Sequence, residues 1–472
     1  MNHPFRLFFC AALAAGLCLT VSCSKSPAEP TGKATESVTE TETETKPGQT
    51  EEVDTTDYDA LAAAPFLELN ESPAVDFTVS ETADGVTVTG YTGSDARVRI
   101  PEQINGKPVI GLGDGAFRDC KTVHVLWIPD SVVTFGKEIL IGTDTLYALH
   151  TPLPSAEGQR FIGWLFGAET YERNNMEDLR RIDFLEIGGS LTEIPAYAFF
   201  DCNDLITVRF PQSVAKIGNY AFARCASLKA IDVSQISHLG DGALLGCTSL
   251  TSLTFGEALE SVGRESLGNC NALKRLELPF VGESRTEHRF LGWLFGAAAA
   301  EQSQGLYPSG LSELKLSGSA GTLAPAALSA APIEVLTLER GLTGIGARAL
   351  ADCTKLRDVV LPEGVTEIGE NAFSGCTALR SVTFPEGLRT IGINAFMNCT
   401  ALTSVVLPSS LTTLPACCFM GCRSLSTVDL GGVATVGVRA FHNCPALNRV
   451  EKSQNVTFAE GNEAAESLAG NS

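Results

Sequence analysis

Apolar residues recur along this chain in one order: Leu-x-x-Val-x-Leu, a second brief apolar pair, then Ala-Phe-x-x-Cys. Residues 379–400 show it fully, as Leu379, Val382 and Phe384 closed by Pro385, then Leu388 and Ile391-Gly392, then Ala395-Phe396 and Cys399. Val382 and Phe384 flank polar Thr383, which predicts a short strand with one buried face, ended by a residue that cannot donate to a ladder. Ala395, Phe396 and Cys399 are spaced for a helical or turn-like return on the buried side. The phrase ending in cysteine returns at Cys120, Cys202, Cys225, Cys247, Cys270, Cys353, Cys376, Cys399, Cys422 and Cys444. A fixed period of about 22–23 residues marks a solenoid, in which each coil buries its apolar face only against its neighbours. Strand triads run from Leu205/Val208/Phe210 to Leu425/Val428/Leu430. Weaker copies stand at Val123/Leu126/Ile128, Leu146/Leu149/Thr151, Ile182/Leu185/Ile187, Leu311/Leu314/Leu316 and Ile333/Leu336/Leu338. The expectation is a mainly β repeat solenoid of about 13 coils with short helical or turn returns.

Two slots of the repeat invite special explanations. Glycine follows the second apolar pair at Gly218, Gly369 and Gly392, but Pro195 and Pro415 share the slot and proline forbids positive φ. A small or turn-compatible residue is wanted there. Cysteines of stacked coils would lie about 5 Å apart, near disulfide range. Thr143 and Ala331 stand in the same slot, so the position wants a small buried side chain and the thiols are expected to be reduced and inert. One cysteine per coil in a straight column cannot converge as zinc requires, so no metal is expected. Two coils carry similar insertions, RFIGWLFGAETYE at 160–172 and RFLGWLFGAAAAE at 289–301, which reads as duplication of a multi-coil block. Trp164, Phe166, Trp293 and Phe295 either anchor these insertions or expose a sticky tip.

The ends differ from the middle. Arg6 precedes an apolar run from Leu7 to Val21 of signal-peptide length, too short for a comfortable membrane span. Leu19-Thr20-Val21-Ser22-Cys23 resembles the lipobox of bacterial lipoproteins, with Thr20 where that motif usually has Leu. The resemblance implies lipidation of Cys23 after cleavage; the plainer alternative is an ordinary secretory signal cut near Ser22. Residues 24–59 are acidic, Thr/Glu-rich and nearly free of large apolar side chains, a composition that cannot offset chain entropy by burial. The expected organisation is a signal peptide at 1–22, a lipidated cysteine and tether at 23–60, an N-terminal capping module at 61–115, the solenoid at 116–450 and a frayed tail at 451–472. The insertions fall near 153–180 and 280–310. The formal net charge of −21 disfavours nucleic-acid partners.

The repeat phrase is similar to that of the BspA-like leucine-rich repeats of bacterial surface proteins. The segment from Asp76 to Asp119 resembles the leading segment of that family, including Gly90-Tyr91-Thr92-Gly93-Ser94 and Asn105-Gly106-Lys107-Pro108. The resemblance covers residues 76–450 and implies a surface protein that attaches to host or matrix proteins or to other bacteria. It carries over no shared set of binding residues. Catalytic constellations are lacking: His124, His150, His238, His288 and His442 are scattered, and no HExxH, GxSxG or phosphate-loop pattern occurs. Neither an enzyme nor a cofactor is expected. Residues between the buried strand positions should point outwards and stack into columns, among them Val125, Trp127, Thr207, Arg209, Ala230, Asp232, Arg275 and Glu277. Trp127, Arg209, Asp232 and Glu277 are the candidate ligand contacts, although Trp127 equally suits packing beneath the N-terminal module. The functional expectation is a non-catalytic, adhesin-like protein of the bacterial cell envelope, surface-exposed and held to the membrane only through a lipid anchor. Its partner would be a surface protein or glycan polymer. A passive envelope scaffold is the alternative.

Overall fold

In the computed structural model the described residues are 64–156, 159–174, 182–287, 289–318, 321–339, 341–452 and 455–470. Residues 56–472 form one compact unit. Its framework is a stack of short parallel strands, beginning with Arg97–Arg99, Val125–Trp127 and Ala148–Pro152 and ending with Thr427–Asp429 and Arg449–Glu451. Fifteen strands occupy this position, one per turn of the chain. The sequence pattern predicts about 13, and the two additions lie at the ends. Arg97–Arg99 pairs in parallel with Val125–Trp127, so the capping module supplies the first coil. Arg449–Glu451 pairs with Thr427–Asp429 and supplies the last. The expected frayed tail is corrected too: Thr457–Phe458 adds to a second sheet, and Glu463–Gly470 is a helix that buries Ala465 and Ala469.

That second sheet is built from the brief apolar pairs, such as Glu367–Ile368 beside Thr390–Ile391. Its N-terminal end is capped by Phe77–Glu81 and Val86–Tyr91, which pair antiparallel, with Lys107–Leu112 parallel to the latter. Asn105 and Gly106, both at positive φ, turn the hairpin between Gln103–Ile104 and Lys107–Leu112, as two-residue turns of that type require.

The returns are chains of turns, and their backbone explains the cysteine phrase. In coil after coil two residues take left-handed φ, one before the alanine and one before the cysteine: Asn394 and Asn398, Arg348 and Asp352, Glu265 and Asn269, Gly242 and Gly246. Asn, Asp and Gly dominate the second of these slots because their side chains tolerate that region. The glycine column at Gly218, Gly369 and Gly392 is different. A Cβ on Gly392 would lie 2.4 Å from Glu370 N, so that slot is closed by the backbone of the preceding coil. Return amides donate from coil to coil, as in Phe373 N to Ala395 O (2.7 Å) and Phe396 N to Cys418 O (2.9 Å).

Between the two sheets and the returns lies one contiguous apolar core. Phe373, Phe396, Phe419 and Phe441 stack along it with centroids 5.0, 5.3 and 5.9 Å apart. The cysteines are free thiols, and those from Cys225 to Cys270, from Cys353 to Cys399, and Cys422 and Cys444 donate to a carbonyl of the preceding coil, as Cys399 Sγ does to Phe373 O (3.2 Å). Burial pushes the Cys399 and Cys270 thiols up to about 12, which keeps them protonated and poorly nucleophilic. The two insertions fold as short 3-10 turns, Ile162–Phe166 and Leu291–Phe295, and serve as the returns of their coils. Leu165, Phe166, Leu294 and Phe295 are buried, and Trp164 Nε1 donates to Gly136 O (2.9 Å).

Candidate functional site: the outward strand face

Register aligns the outward strand positions into columns. One column runs Arg99, Trp127, His150, Glu186, Arg209, and its neighbour runs Arg97, Val125, Ala148, Phe184, Thr207. The expectation that all such positions point to solvent fails at Val125 and Thr207, which were expected outside, and at Ala148 and His150 of the same columns, all four being buried. Val125 is buried beneath Leu69 in a small separate cluster, and Thr207 is buried beside Phe184. For Val125 and Ala148 the physical reason is the segment at 64–72, which lies over the first strands. Arg97 Nη2 donates to Pro65 O and Leu67 O (3.0 and 2.7 Å), and Phe66 packs edge-on against Trp127.

The N-terminal part of this face is a ladder of stacked rings and paired charges. Trp127 stacks on His150 at 3.5 Å with rings 4° from parallel, and Arg99 lies 5.1 Å over the indole. His150 Nε2 stands 3.1 Å from Asp130 Oδ1, and Nδ1 faces Glu186 Oε1 at 3.6 Å. Glu186 also meets Arg209 Nη1 at 3.5 Å. Burial opposes charge on His150, but the hydrogen bond with Asp130 and the pairing with Glu186 outweigh it and hold the imidazole pKa above its ordinary value. The same bond to His150 holds the Asp130 carboxyl below its own. Gly188 makes the arrangement sterically feasible: a Cβ there would lie 1.8 Å from Asp130 Oδ1 and 2.7 Å from His150 Nε2.

Of the four candidates from the sequence, Trp127 and Arg209 therefore belong to one ladder, linked through His150 and Glu186. Asp232 is exposed one coil further on, its Oδ1 accepting from Ser234 N (2.9 Å). Glu277 lies apart from them, 2.9 Å from Lys315 Nζ, which also meets Glu339 at 3.0 Å. His150, Asp130 and Glu186 were not legible as a group, because they sit on three coils and share no motif. The weak second triad, Leu146/Leu149/Thr151, was the one available signal, since His150 stands inside it.

The C-terminal part of the face is built differently. Thr337, Val360, Thr383 and Val406 occupy successive coils of one column, all exposed, β-branched and uncharged. Val360 and Val406 are each 66% exposed and Val335 beside them 51%. Asp358, Ser381 and Ser404 complete the neighbouring column, with Ser381 Oγ donating to Asp358 Oδ1 (2.6 Å). Val360 and Val406 stand two coils apart with Thr383 between them, so the column is an uncharged strip and not a contiguous apolar patch. Among the described residues, no three His, Cys, Asp or Glu side chains converge as a metal site would need, and no helix is long and apolar enough to cross a membrane.

Residues 172–290 and 309–464 match the family model described as the BspA type leucine rich repeat region, in six copies. No curated protein matches the chain. Among solved structures, a leucine-rich repeat protein from Bacteroides ovatus is 21% identical over 81% of this chain and 98% of its own, with a TM-score of 0.37. A leucine rich cell surface protein from Faecalibacterium prausnitzii is 20% identical over 84% of this chain and 97% of its own, at 0.23. The pneumococcal vaccine antigen PcpA is 15% identical over 80% of this chain and 86% of its own, at 0.26. The family assignment rests on the repeat match.

Proposed function

Because the chain belongs to the BspA-type leucine-rich repeat family, we propose that it is a non-catalytic binding protein of the bacterial cell surface, adhesin-like in action. It takes a protein or polymer partner on the outward strand face. The observation that carries this reading is the uncharged, β-branched column Thr337–Val360–Thr383–Val406, exposed over four coils with few internal ion pairs to satisfy it. A standard interface buries about 800 Å² per partner, which several adjacent coils supply and one coil does not. Trp127, Arg209, Asp232 and Glu277 enter as a polar flank of the same face. The export signal and the lipobox-like Cys23 lie outside the described residues; their text supports anchoring at the envelope. The net charge of −21 favours a basic partner surface and salt-weakened association.

The test is retention of purified matrix proteins and surface polymers by the immobilised chain. Val360→Lys with Val406→Lys should lower retention at least about tenfold, a loss of about 1.4 kcal/mol, with the melting temperature nearly unchanged. If that pair has no effect while Trp127→Ala with Arg209→Glu and Glu277→Arg abolishes retention, the contact lies on the polar flank. A chain that retains none of the panel is a passive scaffold, and the binding reading then fails.

A further inference from the structure

The duplicated insertion offers an internal comparison. Aligning the two copies on Arg160-Phe161 and Arg289-Phe290 puts Tyr171 opposite Ala300, and the left-handed slot of the following return holds Tyr197 in the first copy and Ala326 in the second. The scaffold therefore closes equally well with alanine at both places. Only in the first copy do aromatic rings meet there. Tyr171 and Tyr197 stack at 4.2 Å with planes 20° apart, and Tyr220 continues the stack 5.4 Å from Tyr197. Tyr197 stands at φ 61° in the left-handed slot that Glu265 and Arg348 fill in other returns, so the backbone there admits side chains of many kinds and the tyrosine is not required by the turn.

Tyr171 and Tyr197 border a cleft of about 630 Å³ between the insertion and the coil at 190–197. That volume lies within the about 300–1,000 Å³ typical of small-ligand sites. Buried Phe161 and the two tyrosines make its apolar wall, and exposed Arg160, Ser190 and Glu193 its polar rim. Asn174 locks the two sides together: it accepts from Gly163 N (2.9 Å) and donates through Nδ2 to Tyr197 O (3.3 Å). The cleft is thus held open by its own framework. Tyr197 stacks on Tyr171, Phe200 meets it edge-to-face at 6.1 Å, and the Tyr171 ring remains half-exposed on the wall of the cleft.

We propose that this cleft is a carbohydrate site for a neutral oligosaccharide, independent of the strand-face contact. A pyranose presents C–H groups on one face, which suit the aromatic wall of Phe161, Tyr171 and Tyr197, and a rim of hydroxyls, which suit one cation, one carboxylate and one hydroxyl. Arg160 and Glu193 balance in charge, and the chain's net −21 opposes a polyanionic glycan. A proline-rich peptide would also use aromatic walls, but this rim is richer in polar groups than such a ligand can satisfy.

The experiment is calorimetric titration of the full chain with maltotriose, cellotriose and chitotriose, alongside a heparin fragment and a proline-rich peptide. At least one neutral trisaccharide should bind. Tyr171→Ala with Tyr197→Ala, which copies the second insertion and so keeps the fold, should weaken it by about tenfold or more. Arg160→Ala on the exposed rim should weaken it as well, whereas Val360→Lys with Val406→Lys should not. Failure of all three sugars, preference for heparin or the peptide, or undiminished binding by the tyrosine variant would overturn the proposal and leave the strand-face reading intact.

Discussion

His150 is 3% exposed and lies between Asp130 and Glu186, with Trp127 stacked on one face. Because its folded pKa is raised, the native state holds the proton more tightly than the unfolded chain does. Its contribution to stability is fully present below the unfolded value of about 6.5 and is lost as pH rises through the folded value. Asp130 moves the opposite way, its contribution being lost as pH falls through its depressed pKa. The stability gap between the wild type and His150→Gln should accordingly be larger at about pH 5.5 than at about pH 8.5. Urea melts at the two pH values measure it, and an equal gap at both would mean that the pairing with Asp130 and Glu186 is not formed.

Each coil is held by a few side chains whose stacking is nearest-neighbour. Phe396 lies between Phe373 and Phe419 and is fully buried, so Phe396→Ala should cost about 3–5 kcal/mol. Loss of hydrogen-exchange protection should concentrate in the returns at residues 371–376 and 417–422, which bond directly to the altered one. Uniform loss across all coils would contradict a stack of semi-independent units. The return also shows how an element can be legible and still be misread. The residue before each cysteine is repeatedly Asp, Asn or Gly, at Asp119, Asp352, Gly375, Asn398 and Asn443, and all are left-handed. That signal is present in the sequence; the glycine three residues before the alanine answers a different constraint, the close approach of the neighbouring coil.

At the scale of the chain, the family match and the solenoid say how surface is presented, while the placement of the whole at a membrane depends on residues outside those described. Cys23 carries the claim. Labelled fatty acid should enter the full-length protein expressed in a bacterial host and be absent from Cys23→Ala. Equal labelling of the two, or none in either, would remove the lipid anchor from the proposed function while leaving the binding surface untouched.

The repeat period, the buried triads, the inert cysteine column and the family were all readable from the sequence, because a solenoid translates each local pattern directly into one coil and its nearest neighbours. Leu379, Val382 and Phe396 needed no long-range information to be assigned to the core. What sits beside what across several coils was decided only by the folded chain. The segment at 64–72 covers Val125, although about 55 residues separate them, and no periodicity in either stretch predicts it. The ladder from Arg99 to Arg209 and the meeting of Tyr171 with Tyr197 depend likewise on register and on the path of an insertion. Those are set by packing between coils, which a pattern within one coil does not encode.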